Sequence, residues 1–264
     1  MMKIILSRKG FDSSYGGQPS PILPDGTFLS LPIPSRNDEI KFTDIYFKGK
    51  NYYDIIHELK PSSKIQEKYF CHLDPDIYPD IISRPKNWHG VFGQKDAAQT
   101  HLENHNVGQG DLFLFFGWFK ETELIGNILK YKKDARDIHA IYGYLEIGEK
   151  VYTRDGFPDI FSKHPHCKNN YGLNNCLYIS TKKSTFFKNV PGAGSFNCTS
   201  NHILTKDGFS RSKWDLPSFF RDIQITYHSP NSFKENYFDS AKKGQEFVIY
   251  PNDDIINWAK KLGG

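Results

Sequence analysis

The apolar positions of this chain gather into a few dense runs separated by long polar stretches, and the runs differ in period. "GDLFLFFGWF" at 110–119 is apolar almost without interruption. That predicts a strand covered on both faces, at the centre of a sheet. "IHAIYGYLEIGE" at 138–149 alternates and reads as its neighbour. Shorter runs at 3–6, 176–180 ("CLYIS") and 245–250 ("QEFVIY") predict three more strands. Elsewhere the period changes to that of a helix. Tyr52, Ile55, Ile56 and Leu59 recur at helical spacing within 51–60, and Pro61 ends the run. A second helix is predicted over 94–106, with Asp96 as its cap and Ala97, Ala98 and Leu102 on one face. "DDIINWAKKL" at 253–262 reads as an amphipathic third.

The polar stretches complete the outline. The forty residues after the first strand hold Gly16, Gly17, Gly26 and a cluster of prolines, which predicts loop or short hairpin. Between 152 and 240 the chain is rich in Gly, Asn, Ser, Pro and His, so regular structure there should be sparse. Strands and helices mix without a βαβ rhythm. The expected class is α+β, with a mixed or antiparallel central sheet, a few helices and long polar loops. No linker divides the chain, so 1–264 is expected to be a single domain.

Composition adds limits. Hydrophobic residues are 38% of the 264, but 15% of the chain is aromatic, which supplies large side chains for a core. A formal net charge of +4 permits a phosphate-bearing partner without the dense basic stripe of a dedicated nucleic-acid binder. Cys71, Cys167, Cys176 and Cys198 contain no C-x-x-C and are expected to be reduced thiols of a cytoplasmic protein. The start is too short for a signal peptide, and no stretch reaches the apolar length of a membrane span. The sequon at Asn197-Cys198-Thr199 is then read as chance.

Four stretches carry candidate chemistry. "SRKGFDSSYGGQPSPILPDG" begins where the first strand ends, the place where α/β-type sheets hold ligands. Arg8 and Lys9 could bind phosphate, Asp12 could act as a base, and Ser13, Ser14 and Tyr15 are hydroxyl partners. Gly16-Gly17 would let backbone approach a ligand closely. In "CHLDPDIYPD", His72, Asp74 and Asp76 alternate, so an extended segment would put them on one face. An imidazole between carboxylates suits acid–base work and also a divalent metal; the plainer alternative is an Asp-Pro turn. Gln94, Gln99 and His101 stand around the second helix, where amides can read a base edge; the plainer reading, which this stretch alone favours, is a capped surface helix. His164, His166, Cys167 and Cys176 are zinc-type residues in a spacing that no common zinc site uses, and no metal ligand set is assigned. Trp118, with Trp88, Phe92 and Trp214, could form a stacking wall for a base, although scattered tryptophans more often pack a core. Arg211, Lys213 and Asp215, and likewise Gln245 and Glu246, read as solvated edges.

The opening loop, "HLDPD", "FGQKDAAQTHL" with "GDLFLFFGWF", "HPH" and "GQEFV" together resemble the nucleotide modification associated domain 3 family of bacteria and phages, from Lys3 to Trp258. The resemblance implies a setting of DNA base modification rather than a particular reaction. It singles out Arg8, Lys9, Asp12, Ser13, His72, Asp74, Asp76, Gln94, Gln99 and His101. A weaker likeness, over about forty residues from "VGQGDLFLFF" to "IHAIYGYLEIGE", is to barrels of the pseudouridine-synthase-and-archaeosine-transglycosylase type and would imply a barrel core.

The expectation is therefore an enzyme acting on a nucleotide or modified DNA base, by transfer or glycosidic-bond hydrolysis. Asp12 and His72 would be its acid–base pair. Asp74 and Asp76 would position sugar, water or metal. Arg8, Lys9, Ser13, Ser14, Gln94, Gln99, His101 and Trp118 would hold the substrate. The alternative is a non-catalytic reader of modified bases. The partner in both is a nucleotide or DNA, without a membrane; the cofactor and the oligomeric state stay open.

Overall fold

The structure, a computed structural model, describes residues 2–168, 171–240 and 246–264. A mixed sheet of nine strands dominates it, with four helices and three two-stranded sheets around it. The class is α+β. Along the main path the strands run Glu246–Ile249, Ile4–Arg8, Leu112–Ile125, Ile138–Tyr152, Cys176–Ser180 and Val91–Gln94. Ile4–Arg8 lies parallel to Leu112–Ile125 and antiparallel to Glu246–Ile249. The apolar run at 110–119 is indeed central: Leu112 through Phe116 are all fully buried. Its pairing with Ile138–Tyr152 is antiparallel, with Phe116 opposite Ile141 and Phe115 opposite Gly143, which marks a bulge. Both strands outrun their expected ends, because each continues into exposed hairpin or edge.

The sheet curls strongly but does not close into a barrel, which corrects the barrel-core expectation. Its two path ends approach through side chains: Gln94 Nε2 donates to Glu246 Oε1 at 2.7 Å, without a strand pairing between them among the described residues. The curl is filled by rings. Phe92 meets Phe113 and Phe115 edge-on with centroids at 4.9 and 5.4 Å, and Phe113 meets Tyr178 at 5.1 Å, geometries the aromatic quadrupole favours.

The helices sit outside this core. α1 (Tyr52–Leu59) is capped by the Asn51 side chain, which accepts from the Asp54 N–H, and buries the four residues its spacing predicts. α2 (Asp96–Asn104) departs from expectation. Lys95 is the N-cap and makes no side-chain cap bond, while Asp96 is the first helical residue, at φ +54°. The buried face is Gln99 and Leu102; Ala97 is exposed. α3 is the short Pro165–Lys168 turn, and α4 (Asp253–Lys260) is capped by Asn252. Between 152 and 240 the described residues hold only elements of five residues or fewer, beyond the end of Ile138–Tyr152. All four cysteines are free. No helix among the described residues is long and apolar enough to cross a membrane.

Candidate functional site

The parallel strand Ile4–Arg8 delivers its next residues to the mouth of the curled sheet, where a cavity of about 520 Å³ opens. That volume falls inside the roughly 300–1,000 Å³ of small-ligand clefts and is too small for a duplex groove. Arg8, Lys9, Asp12, Ser13, Ser14 and Tyr15 line it from one side. His72 and Asp74 line it from the segment after Phe70–His72, and Gln94 and Lys95 from the end of Val91–Gln94. Trp118, His139, His166 and Arg211 complete the wall. Nine residues expected to carry chemistry thus converge from four separate parts of the chain: Arg8, Lys9, Asp12, Ser13, Ser14, His72, Asp74, Gln94 and Trp118.

The opening loop is held from within. Asp12 Oδ1 accepts the N–H groups of Ser14 and Tyr15 at 2.7 and 2.6 Å, and the Asp12 carbonyl accepts from Gly17. Asp12 is therefore the loop's own clamp, with one oxygen committed. Gly16 (φ +88°) is not among the residues that line the cavity. A Cβ there would stand 2.2 Å from the Phe11 ring, so its bareness lets the loop fold back over the core. Ser13 Oγ accepts from Arg211, whose guanidinium lies 4.1 Å above the Trp118 ring. One indole face thus supports a cation instead of standing open for a base.

Strand alternation sends Ser7 and Lys9 to one face, and both reach Glu246: Ser7 Oγ donates at 3.3 Å and Lys9 Nζ at 3.1 Å. With Gln94, they satisfy a carboxylate that is 1% exposed, so Glu246 is a buried anchor and not a solvated edge. Gln245 lies outside the described residues. Lys9 also rests 4.4 Å over the Phe92 ring. Burial lowers the Arg8 pKa from its ordinary value, while nearby Asp12 and Glu246 work against that. Gln94 Oε1 accepts from the Lys95 N–H, which leaves one amide hydrogen and one lone pair for a ligand.

The opposite wall is rich in imidazole. His72 Nδ1 meets Asp38 Oδ2 at 2.9 Å, a buried carboxylate that nothing in the sequence pattern singles out. Asp74 Oδ1 accepts from the Gly93 N–H at 2.7 Å and from His164 at 3.2 Å. Burial opposes the Asp74 charge. The His164 hydrogen bond, with His166 and Lys9 nearby, outweighs it and holds the group well below the usual carboxylate range. His166 Nδ1 meets Asn175 Oδ1 at 2.6 Å, and burial pulls its pKa down to about 3, so it is neutral near pH 7. His139, also brought down to about 3 by burial with Arg211 and Arg8 adding, accepts the Trp214 Nε1–H at 3.1 Å.

Three expected residues stand elsewhere. Asp76 turns away from His72 and Asp74 because the chain leaves extended geometry there: the Asp74 N–H closes on the His72 carbonyl. Its carboxylate is instead clasped by both terminal nitrogens of Arg84. Gln99 is fully buried and accepts the Tyr178 hydroxyl. His101 contacts Thr226 and the ring of Tyr227 on the far side of α2. Trp214 is core, packed on Phe116 and Phe238, and Trp88 lies under Arg84. Asp38, His139 and Lys95 are residues that sequence pattern missed, and Arg211, expected at a solvated edge, lines the cavity instead. His139 hides in an apolar strand, and the pairing of Asp38 with His72 spans thirty-four positions.

Comparison with protein families covers all of these stretches. The profile described as "Nucleotide modification associated domain 3" matches residues 3–250, nearly the whole chain and every cavity residue. The chain belongs to the nucleotide modification associated domain 3 family. The family's name sets it in a nucleotide-modification context. Neither the curated proteins nor the solved structures contain a match to this family member.

Proposed function

We propose that the chain is a single-domain enzyme that acts on a nucleotide, or on a nucleotide base turned out of DNA, by group transfer or glycosidic-bond hydrolysis. The observation that supports this most is the convergence of two kinds of group on one cavity. Arg8, Lys9, Lys95 and Arg211 supply cations suited to phosphate. His72, Asp74 and His166 supply an imidazole–carboxylate cluster in the same wall. The volume fits one nucleotide, and such a site takes a base from DNA only when it is unstacked. The core that runs from Ile4 to Leu262 supports a single domain.

Asp38 orients His72 as a buried carboxylate orients a catalytic imidazole, and Asp74 stays ionised beside it. A reader of modified bases would need the cations and the ring but not this supported imidazole, so the Asp38–His72 pair favours the enzyme. The test is to incubate the protein with nucleotides and with DNA carrying modified bases and to follow products by mass spectrometry. Conversion that falls at least 100-fold in His72→Gln supports the enzyme. Stoichiometric, salt-dependent binding of DNA that remains unchanged would establish the reader in its place.

A further inference from the structure

We propose that His72, Asp74 and His166 bind one divalent transition-metal ion in the cavity wall. One ligating atom from each lies within 4.8 Å of those of the other two. Ligands about 2.0–2.2 Å from a common ion stand roughly 3–4 Å apart, so small side-chain rotations complete the site.

The hydrogen bonds behind the three side chains carry the inference further than proximity does. Asn175 donates both amide hydrogens, to Thr153 Oγ1 at 2.8 Å and to the His166 carbonyl at 2.7 Å. Its Oδ1 therefore faces His166 Nδ1 as an acceptor, and Nδ1 must carry the proton. The lone pair of His166 is left on Nε2. The Asp38 carboxylate does the same for His72, since a carboxylate facing Nδ1 makes that nitrogen the donor. Gly93 and His164 occupy Oδ1 of Asp74, so the ligand from Asp74 is Oδ2. Each ligand is thus presented by a neighbour that fixes its tautomer or orientation, the arrangement that holds metal ligands in place.

Position 93 joins two of these supports. The Gly93 N–H holds Asp74, and a Cβ on Gly93 would stand 2.3 Å from the His166 ring, so only glycine lets the imidazole lie there. Two imidazoles and one carboxylate suit zinc, iron or cobalt better than the all-oxygen preferences of calcium or magnesium. Three protein ligands leave the remaining positions for water or a substrate oxygen from the cavity. That ion's catalytic part rests on the enzyme proposed above, with His72 serving the reaction as a ligand and no longer as a proton carrier: the ion would polarise a substrate oxygen or lower the pKa of a bound water.

The experiment strips the full chain with a chelator and titrates Co²⁺ and Zn²⁺, followed by calorimetry and Co²⁺ absorption. One equivalent should bind, giving d–d bands without sulfur-to-metal charge transfer. Asp74→Asn and His166→Ala should each weaken binding more than ~100-fold, and Asp38→Asn by roughly 10–100-fold, with circular dichroism reporting the fold. Should His166→Ala unfold, the isosteric Asp38→Asn still decides. Cys167→Ser should bind normally. Absence of binding to folded, stripped protein overturns the site, as does a charge-transfer band that Cys167→Ser removes. Stoichiometric metal with no turnover would keep the site and sink the enzyme; turnover by metal-free protein would do the reverse.

Discussion

Gly93 shows how much a single missing methyl can decide. Gly93→Ala should displace His166 and cost about 1–3 kcal/mol of stability, as overpacking of a filled site does. Metal affinity and turnover should fall together while the far-ultraviolet circular dichroism stays native. A fully active Gly93→Ala protein would show that His166 is dispensable. At this scale the sequence pointed to cavity residues through their type and setting. Arg8, Lys9, Asp12 and His72 stand at strand ends or in the polar loop that follows, and all four line the cavity. It concealed those whose role comes from a distant neighbour. Asp38 becomes meaningful only beside His72, and Arg211 only over Trp118. Gln99 misled for the opposite reason: an amide on a helix looks accessible until the helix's buried face is known.

Single elements were legible in proportion to their length. The runs at 110–119 and 138–149 were readable because apolar side chains repeat over ten positions or more. The cap of α2 was not, since the left-handed backbone at Asp96 shifts the helix start by one residue. The strand Ile138–Tyr152 also carries a titratable group in its core, His139. Its folded pKa near 3 lies below the ordinary 6.5, so the unfolded chain binds the extra proton between those values. Stability from this residue is complete above about pH 6.5 and declines as pH falls, by about 1.4 kcal/mol per unit until roughly pH 3. Denaturant unfolding from pH 7.5 to 4.5 should show that slope flatten by one proton in His139→Gln. An unaltered slope would place the uptake on another group.

For the whole molecule, the decisive contact is the one that sequence could least foresee. Glu246 lies opposite Ser7 in the sheet and takes bonds from Ser7, Lys9 and Gln94, tying together the two ends of the strand order. Its run reads as an exposed strand start, because linear distance hides a pairing across 239 positions. Glu246→Gln leaves Lys9 buried without its counter-charge and should cost about 3–5 kcal/mol, read as a lowered denaturation midpoint. A loss under 1 kcal/mol would show that Lys9 finds another partner or reaches water.

That same anchor sets a schedule for synthesis. A ribosome that has made the first 240 residues has already joined every residue of the cavity wall, yet the acid that steadies Lys9 and Gln94 is still to come. The nascent polypeptide therefore stays without this anchor until the closing strand emerges and docks, and a chain abandoned before that point is released with the two ends of its sheet untied.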